Sequence, residues 1–138
     1  MLAMAMDTVP GSGLLREAEA RVARTKADMD SATEIHECLR LVWVRAGSPY
    51  GGPEYREARS AWGLVLQAQD EVARATARLI AVRWAEAAER APRAEADARR
   101  EACARILHLA ARDEVRVLDL IGAVTAEAAA LAEKVGRE

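Results

Sequence analysis

The chain has no phenylalanine, two cysteines, two lysines and four prolines in 138 residues, and no long uninterrupted apolar run. Each shortage excludes something. Two cysteines, Cys38 and Cys103, cannot build a disulfide framework and suit a reducing compartment. A membrane span needs ~18 uninterrupted apolar residues, and no stretch reaches that length. The opening Met-Leu-Ala-Met-Ala-Met-Asp also lacks the basic segment and apolar run of a signal peptide. A cytoplasmic location follows as the expectation. Without phenylalanine, any core must be built from Leu, Val, Ile, Ala and a few Met, with tryptophan where its N–H finds a partner.

Charge of one sign is missing too. The net charge is −2, with acids and bases interleaved throughout, so no dedicated nucleic-acid surface or anionic-membrane surface is expected. An arginine-based contact around 93–105 is the weakest of the functional readings. Arg outnumbers Lys 18 to 2, which fits GC-rich codon usage better than a demand for bidentate recognition.

What is present is helix. Apolar residues make up 51% and charged residues 30%, and 32 positions are alanine, a strong helix former that buries little surface. Residues 1–12 read as a flexible lead, with Ser12 as a candidate cap, and residues 13–135 as a single helical bundle domain. From Leu14 to Ala46 a heptad repeats. Its a positions are Leu15, Val22, Met29, His36 and Trp43, and its d positions Ala18, Thr25, Ala32, Leu39 and Ala46. Ile35 and Val42 widen this stripe, as a helix with two neighbours requires. Gly47 stands where a C-terminal capping glycine belongs, and Pro49 follows as a stop.

A second helix should start at Pro53 or Glu54, with proline at its first position and an acid in its first turn. Its apolar face runs through Ala58, Ala61, Trp62, Val65, Ala68, Val72, Ala75, Leu79 and Val82, with Leu66 and Ile80 alongside. Pro92 either turns the chain or kinks one very long helix. Matched lengths favour the turn. Breaking there gives helices of about 33, 38 and 43 residues, ~50–65 Å each at 1.5 Å per residue. The third then carries Cys103, Leu107, Ala110, Glu114, Val117, Ile121, Val124, Ala128, Leu131 and Val135 at steps of four and three, and Ile106, Leu118 and Leu120 add a second apolar edge. The expected fold is therefore all-α. It is an elongated up-down-up three-helix bundle with coiled-coil-like packing, an antiparallel hairpin at 47–53 and a break at Pro92.

Chemistry is scarce. His36, Cys38, Cys103 and His108 have the composition of a zinc site, but residues two or five apart on a helix diverge by ~140–200° around the axis. There is no nucleophile elbow, phosphate loop or dinucleotide fingerprint, so neither an enzyme nor a cofactor nor a metal is expected. Two placements stand out. His36 and Glu114 occupy core positions at matching heights of parallel first and third helices, which predicts a buried polar pair. Trp43, Tyr50, Tyr55 and Trp62 gather at the Gly47–Pro53 break with Arg56 and Arg59 nearby, which makes that corner the candidate partner-binding surface.

Apolar stripes this wide call for partners beyond the chain, so homo-oligomerisation is expected. The leading functional reading is a non-enzymatic protein-protein interaction or assembly protein: an adaptor, a chaperone-like subunit, or a structural component of a larger particle such as a phage virion. The alternative is a small-molecule or pH-responsive regulator centred on His36 and Glu114.

Overall fold

A computed structural model describes residues 12–47 and 50–136. The lead at residues 1–11, the side chain of Ser12 and the stop at Pro49 lie outside what is described. The described residues form four helices and no strand: α1 Ser12–Ala46, α2 Pro53–Ala88, α3 Arg93–Ala110 and α4 Val117–Gly136. They fall into two compact units, one of Ala23–Val72 and the other of the described residues up to Val22 and from Ala73 onwards.

In the first unit, the second half of α1 and the first half of α2 make a hairpin. Gly47 closes α1 at φ 61°, a left-handed conformation that costs a glycine nothing, and its N–H donates to the Val44 carbonyl at 3.3 Å. Gly51, at φ 86°, completes the reversal, and Pro53 opens α2 as expected. Ring contacts across the hairpin fix its register. Trp43 meets Tyr55, and seven residues further from the turn His36 meets Trp62. The two helices therefore run antiparallel in a common heptad. On α1 the less exposed positions of this unit are Thr25, Met29, Ala32, His36, Leu39 and Trp43, which are a and d positions throughout. On α2 the buried positions are Ala58, Ala61, Val65 and Ala68. Ile35 and Val42, expected to meet a second neighbour, remain exposed.

The second unit has a closed core. Val22, Ala75 and Leu79 cluster with Leu15 and Ala18, which continues the a/d pattern of α1. A larger cluster joins Ala77 and Ala81 of α2, Cys103, Ile106 and Ala110 of α3, and Leu120 of α4, with Trp84 and Val124 packed against it. Alanines on α2 keep that helix surface flat, so the branched side chain of Ile106 is buried completely. Between α2 and α3 the chain turns rather than kinks. Three successive i→i+3 bonds wind down the end of α2 (Glu89, Arg90 and Ala91 N–H to the carbonyls of Glu86, Ala87 and Ala88), and Pro92 then leads into α3 in an extended conformation.

The third helix expected from Pro92 to Val135 is two helices, so the three-helix reading becomes four. Residues 111–116 interrupt it without a glycine or proline. Their cause is tertiary. Arg74 of α2, buried to 7% exposure, donates from Nη1 to the carbonyls of Ala110 at 3.0 Å and Arg112 at 2.8 Å, and from Nη2 to Val115 at 2.6 Å. Arg78 adds a bond of 3.3 Å to the Ala110 carbonyl. A helix C-terminus leaves its last carbonyls without intrahelical partners and carries partial negative charge, and a guanidinium answers both needs. The heptad phase carries across the break: Cys103, Ala110, Val117, Val124 and Leu131 stand seven apart and none is exposed, and Ile106 and Leu120 stand fourteen apart and both are buried. Buried positions are Ala102, Cys103, Ile106 and Ala110 before it and Leu120 and Leu131 after it, whereas Leu107, Ile121 and Val135, expected on the seam, are exposed. Across α3 and α4, Arg105 meets Glu127 through two bonds of 2.7 and 2.9 Å.

Candidate functional site

The hairpin of the first unit presents two different long sides, and the predicted corner residues divide between them. On one side lie the rings. Trp43, Tyr50 and Tyr55 form a closed triad with centroid separations of 5.2, 5.2 and 5.3 Å and edge-to-face geometry, the arrangement that aromatic quadrupoles favour. The helix ends explain the gathering: Trp43 is the last a residue before the Gly47 cap, Tyr55 lies in the first turn of α2, and Tyr50 sits in the connection. Trp62 is not part of the triad. It stands one heptad away against His36, with ring centroids 5.0 Å apart.

Between the triad and this pair lies a cleft of about 320 Å³ lined by His36, Arg40, Trp43, Tyr55, Ala58, Arg59 and Trp62. Tyr50 is 81% exposed and Trp62 45% exposed, so the rings present surface as well as packing. Arg40 is held to Glu37 by bonds of 2.6 and 3.1 Å, and this contact keeps the Glu37 carboxyl below the usual carboxylate range. The cleft thus offers flat apolar walls and guanidinium groups, with no carboxylate among its lining residues.

The other side is aliphatic. Two adjoining clefts of about 330 and 490 Å³ share Ile35, Ala61 and Leu64. Arg56, expected with the rings, lines this side together with Glu57 near the turn, while Asp28 and Glu71 flank the opposite end.

The buried His36–Glu114 pair expected from helix heights is overturned at Glu114. That residue lies in the interruption between α3 and α4, exposed, with its carboxylate on Arg112 at 2.7 Å. Its own backbone N–H and the Arg112 guanidinium hold the carboxyl below its ordinary range. The height argument assumed one continuous third helix, and the break removes that premise. Among the described residues the buried polar side chain is that of Arg74, which the helical pattern passed over. A signal was there: Arg74 and Arg78 are like charges four apart, flanked by alanines, and such a pair is unfavourable on a helix unless acceptors meet it.

Among the described residues, no group of three or more His, Cys, Asp or Glu side chains is close enough to hold a metal ion. Cys38 is exposed, and Cys103 is buried in the second unit, where burial pushes its thiol pKa up. No described helix is long and apolar enough to cross a membrane. No family model matches the chain, and neither the curated proteins nor the solved structures contain one significantly similar to it.

Proposed function

We propose that the chain is a non-enzymatic protein-protein interaction or assembly protein, of the kind that serves as an adaptor, a chaperone-like subunit or a structural component of a larger particle, and that its hairpin unit is the binding element. One observation carries this reading: that unit leaves several large apolar side chains exposed. Tyr50, Trp62, Ile35, Val42 and Leu64 are exposed, while the buried positions are mostly alanine. Exposed apolar surface of this extent on a small protein marks an interaction site. Aromatic rings with flanking arginines are the composition of interface hot spots.

The ring side supplies specificity, because edge-to-face packing holds Trp43, Tyr50 and Tyr55 rigidly enough to be bound at little entropic cost. The test is affinity capture from the source cell with the full chain and with a variant carrying Tyr50→Ala, Tyr55→Ala and Trp62→Ala. A stoichiometric protein partner retained by the native chain and lost by the variant is expected. Identical captured proteins from both would leave the rings as a packed corner and refute the reading.

A further inference from the structure

The aliphatic side of the hairpin carries Arg56 and the acids Asp28 and Glu71 at nearly equal distances on opposite sides of its middle. The register set by His36 with Trp62 and Trp43 with Tyr55 pairs residues whose numbers sum to 98, because 36 and 62, like 43 and 55, give that sum. Ile35 is then level with residue 63, beside Leu64, and these two exposed side chains (54% and 56%) form the middle of the groove. On the same scale Arg56 lies level with residue 42, seven residues from Ile35 toward the turn. Asp28 lies seven residues from Ile35 in the other direction, and Glu71 eight. At 1.5 Å per residue the base and the acids are ~10–12 Å from the centre on opposite sides.

We propose that this groove takes a second copy of the same chain, related by a two-fold axis through the Ile35–Leu64 level, so that two hairpins close into an antiparallel four-helix bundle. A two-fold axis there carries Arg56 of each copy to the height of Asp28 and Glu71 of the other. Ile35 and Leu64 of one copy then meet those of the other over a floor of small residues, Ala61 among them, which permits close approach. Two helices alone bury only a seam, and pairing two hairpins gives every helix a second neighbour. Glu57 lies one residue from Arg56 and reaches the same acids, so it opposes the assembly and limits its strength. This inference rests on the hairpin being an interaction element, but it uses the face opposite the rings.

Sedimentation equilibrium of the full chain over a wide concentration range tests it. The native chain should pass from 15.0 kDa toward twice that mass as concentration rises. Ile35→Gln with Leu64→Gln should weaken association about a hundredfold or more while circular dichroism stays unchanged, since both residues are exposed in the single chain. Arg56→Glu should weaken it about three- to tenfold, a further Asp28→Arg and Glu71→Arg in the same chain should restore it, and Glu57→Gln should tighten it.

A chain that stays at 15.0 kDa to its solubility limit would overturn the inference. So would a dimer indifferent to Ile35→Gln with Leu64→Gln. A monomer that melts lower when Ile35 and Leu64 are changed would give the groove to another segment of this chain and equally overturn it. Dimerisation that persists in the Tyr50, Tyr55 and Trp62 variant, with partner capture lost in that variant alone, would support both readings on separate faces. Dimerisation with capture unchanged would retire only the partner reading.

Discussion

The two units are cut from the same alanine-, leucine- and arginine-rich sequence, yet they use it in opposite ways. In the unit built from the start of α1, the end of α2, α3 and α4, two large side chains are enclosed completely: Ile106 is 0% and Leu120 1% exposed. In the hairpin of Ala23–Val72, no α1 residue is fully buried, α2 buries three alanines and one valine, and Ile35, Val42, Tyr50, Trp62 and Leu64 stay exposed. The difference is one of geometry. Two helices meet along a line and can bury only the a and d residues on it, whereas a cluster drawn from three helices encloses a volume. Depth of burial therefore separates the part of the chain that is complete by itself from the part with surface still to cover.

Thiol labelling should break the comparison most sharply. Cys38 lies on the exposed hairpin surface and Cys103 in the closed core with its thiol pKa raised by burial. Alkylation at neutral pH, followed by mass spectrometry, should modify Cys38 on the order of a hundredfold faster or more, with Cys103 reacting only as the core opens. Equal rates would mean that the core is not closed.

Ile106→Ala should cost about 2–5 kcal/mol in chemical denaturation, because it removes a fully buried side chain and leaves a cavity. The matching change Ile35→Ala, at an exposed position, should alter the stability of the single chain by less than about 1 kcal/mol. Arg74→Met keeps the stem but leaves the carbonyls of Arg112 and Val115 without their charged donor and that of Ala110 with Arg78 alone, at a cost of about 2–3 kcal/mol. Arg74→Lys should recover only part of this, since a point charge cannot serve several carbonyls with a planar fork.

The smallest effect belongs to the surface pair of Arg105 and Glu127. Arg105 donates hydrogen bonds to Glu127 and lowers its carboxyl pKa, so the pair contributes stability above the ordinary carboxylate pKa of about 4.3. That contribution fades as the pH falls through the lower folded value. It is a fraction of a kcal/mol because Arg105 is half exposed, and it should shrink further in salt. Melting curves of Glu127→Gln against the native chain should converge at low pH and separate slightly at neutral pH.

Much of this division is legible in the sequence, and the failures have identifiable physical causes. The a and d positions of α1 from Leu15 to Trp43 are its less exposed residues, because the repeat is long and a slip by one residue would bury charge. Gly47 and Pro53 mark the hairpin because only they satisfy a left-handed cap and an amide without a donor. The interruption at 111–116 left no such mark. It depends on Arg74, some 36 residues away, whose guanidinium takes over carbonyls that a continuing helix would have used itself. One continuous helix across the break places Glu114 in a core it does not enter. The seam differs by one residue for another reason: on both sides of the break it takes Ile106 and Leu120 rather than their aliphatic neighbours Leu107 and Ile121, and a helical pattern cannot choose between adjacent aliphatic residues. The ring pairing was readable and overlooked. His36 and Trp43 are seven apart, as are Tyr55 and Trp62, and equal heptad steps on antiparallel helices bring such residues together in pairs.

Native-state hydrogen exchange of the full chain at low and at high protein concentration tests most directly whether the hairpin is the incomplete element. Protection of residues 23–72 should be weak at low concentration and rise with it, while protection around Ile106 and Leu120 is strong at both and unchanged. Protection that is equally strong in both units and independent of concentration would contradict the division between a closed core and an interaction surface.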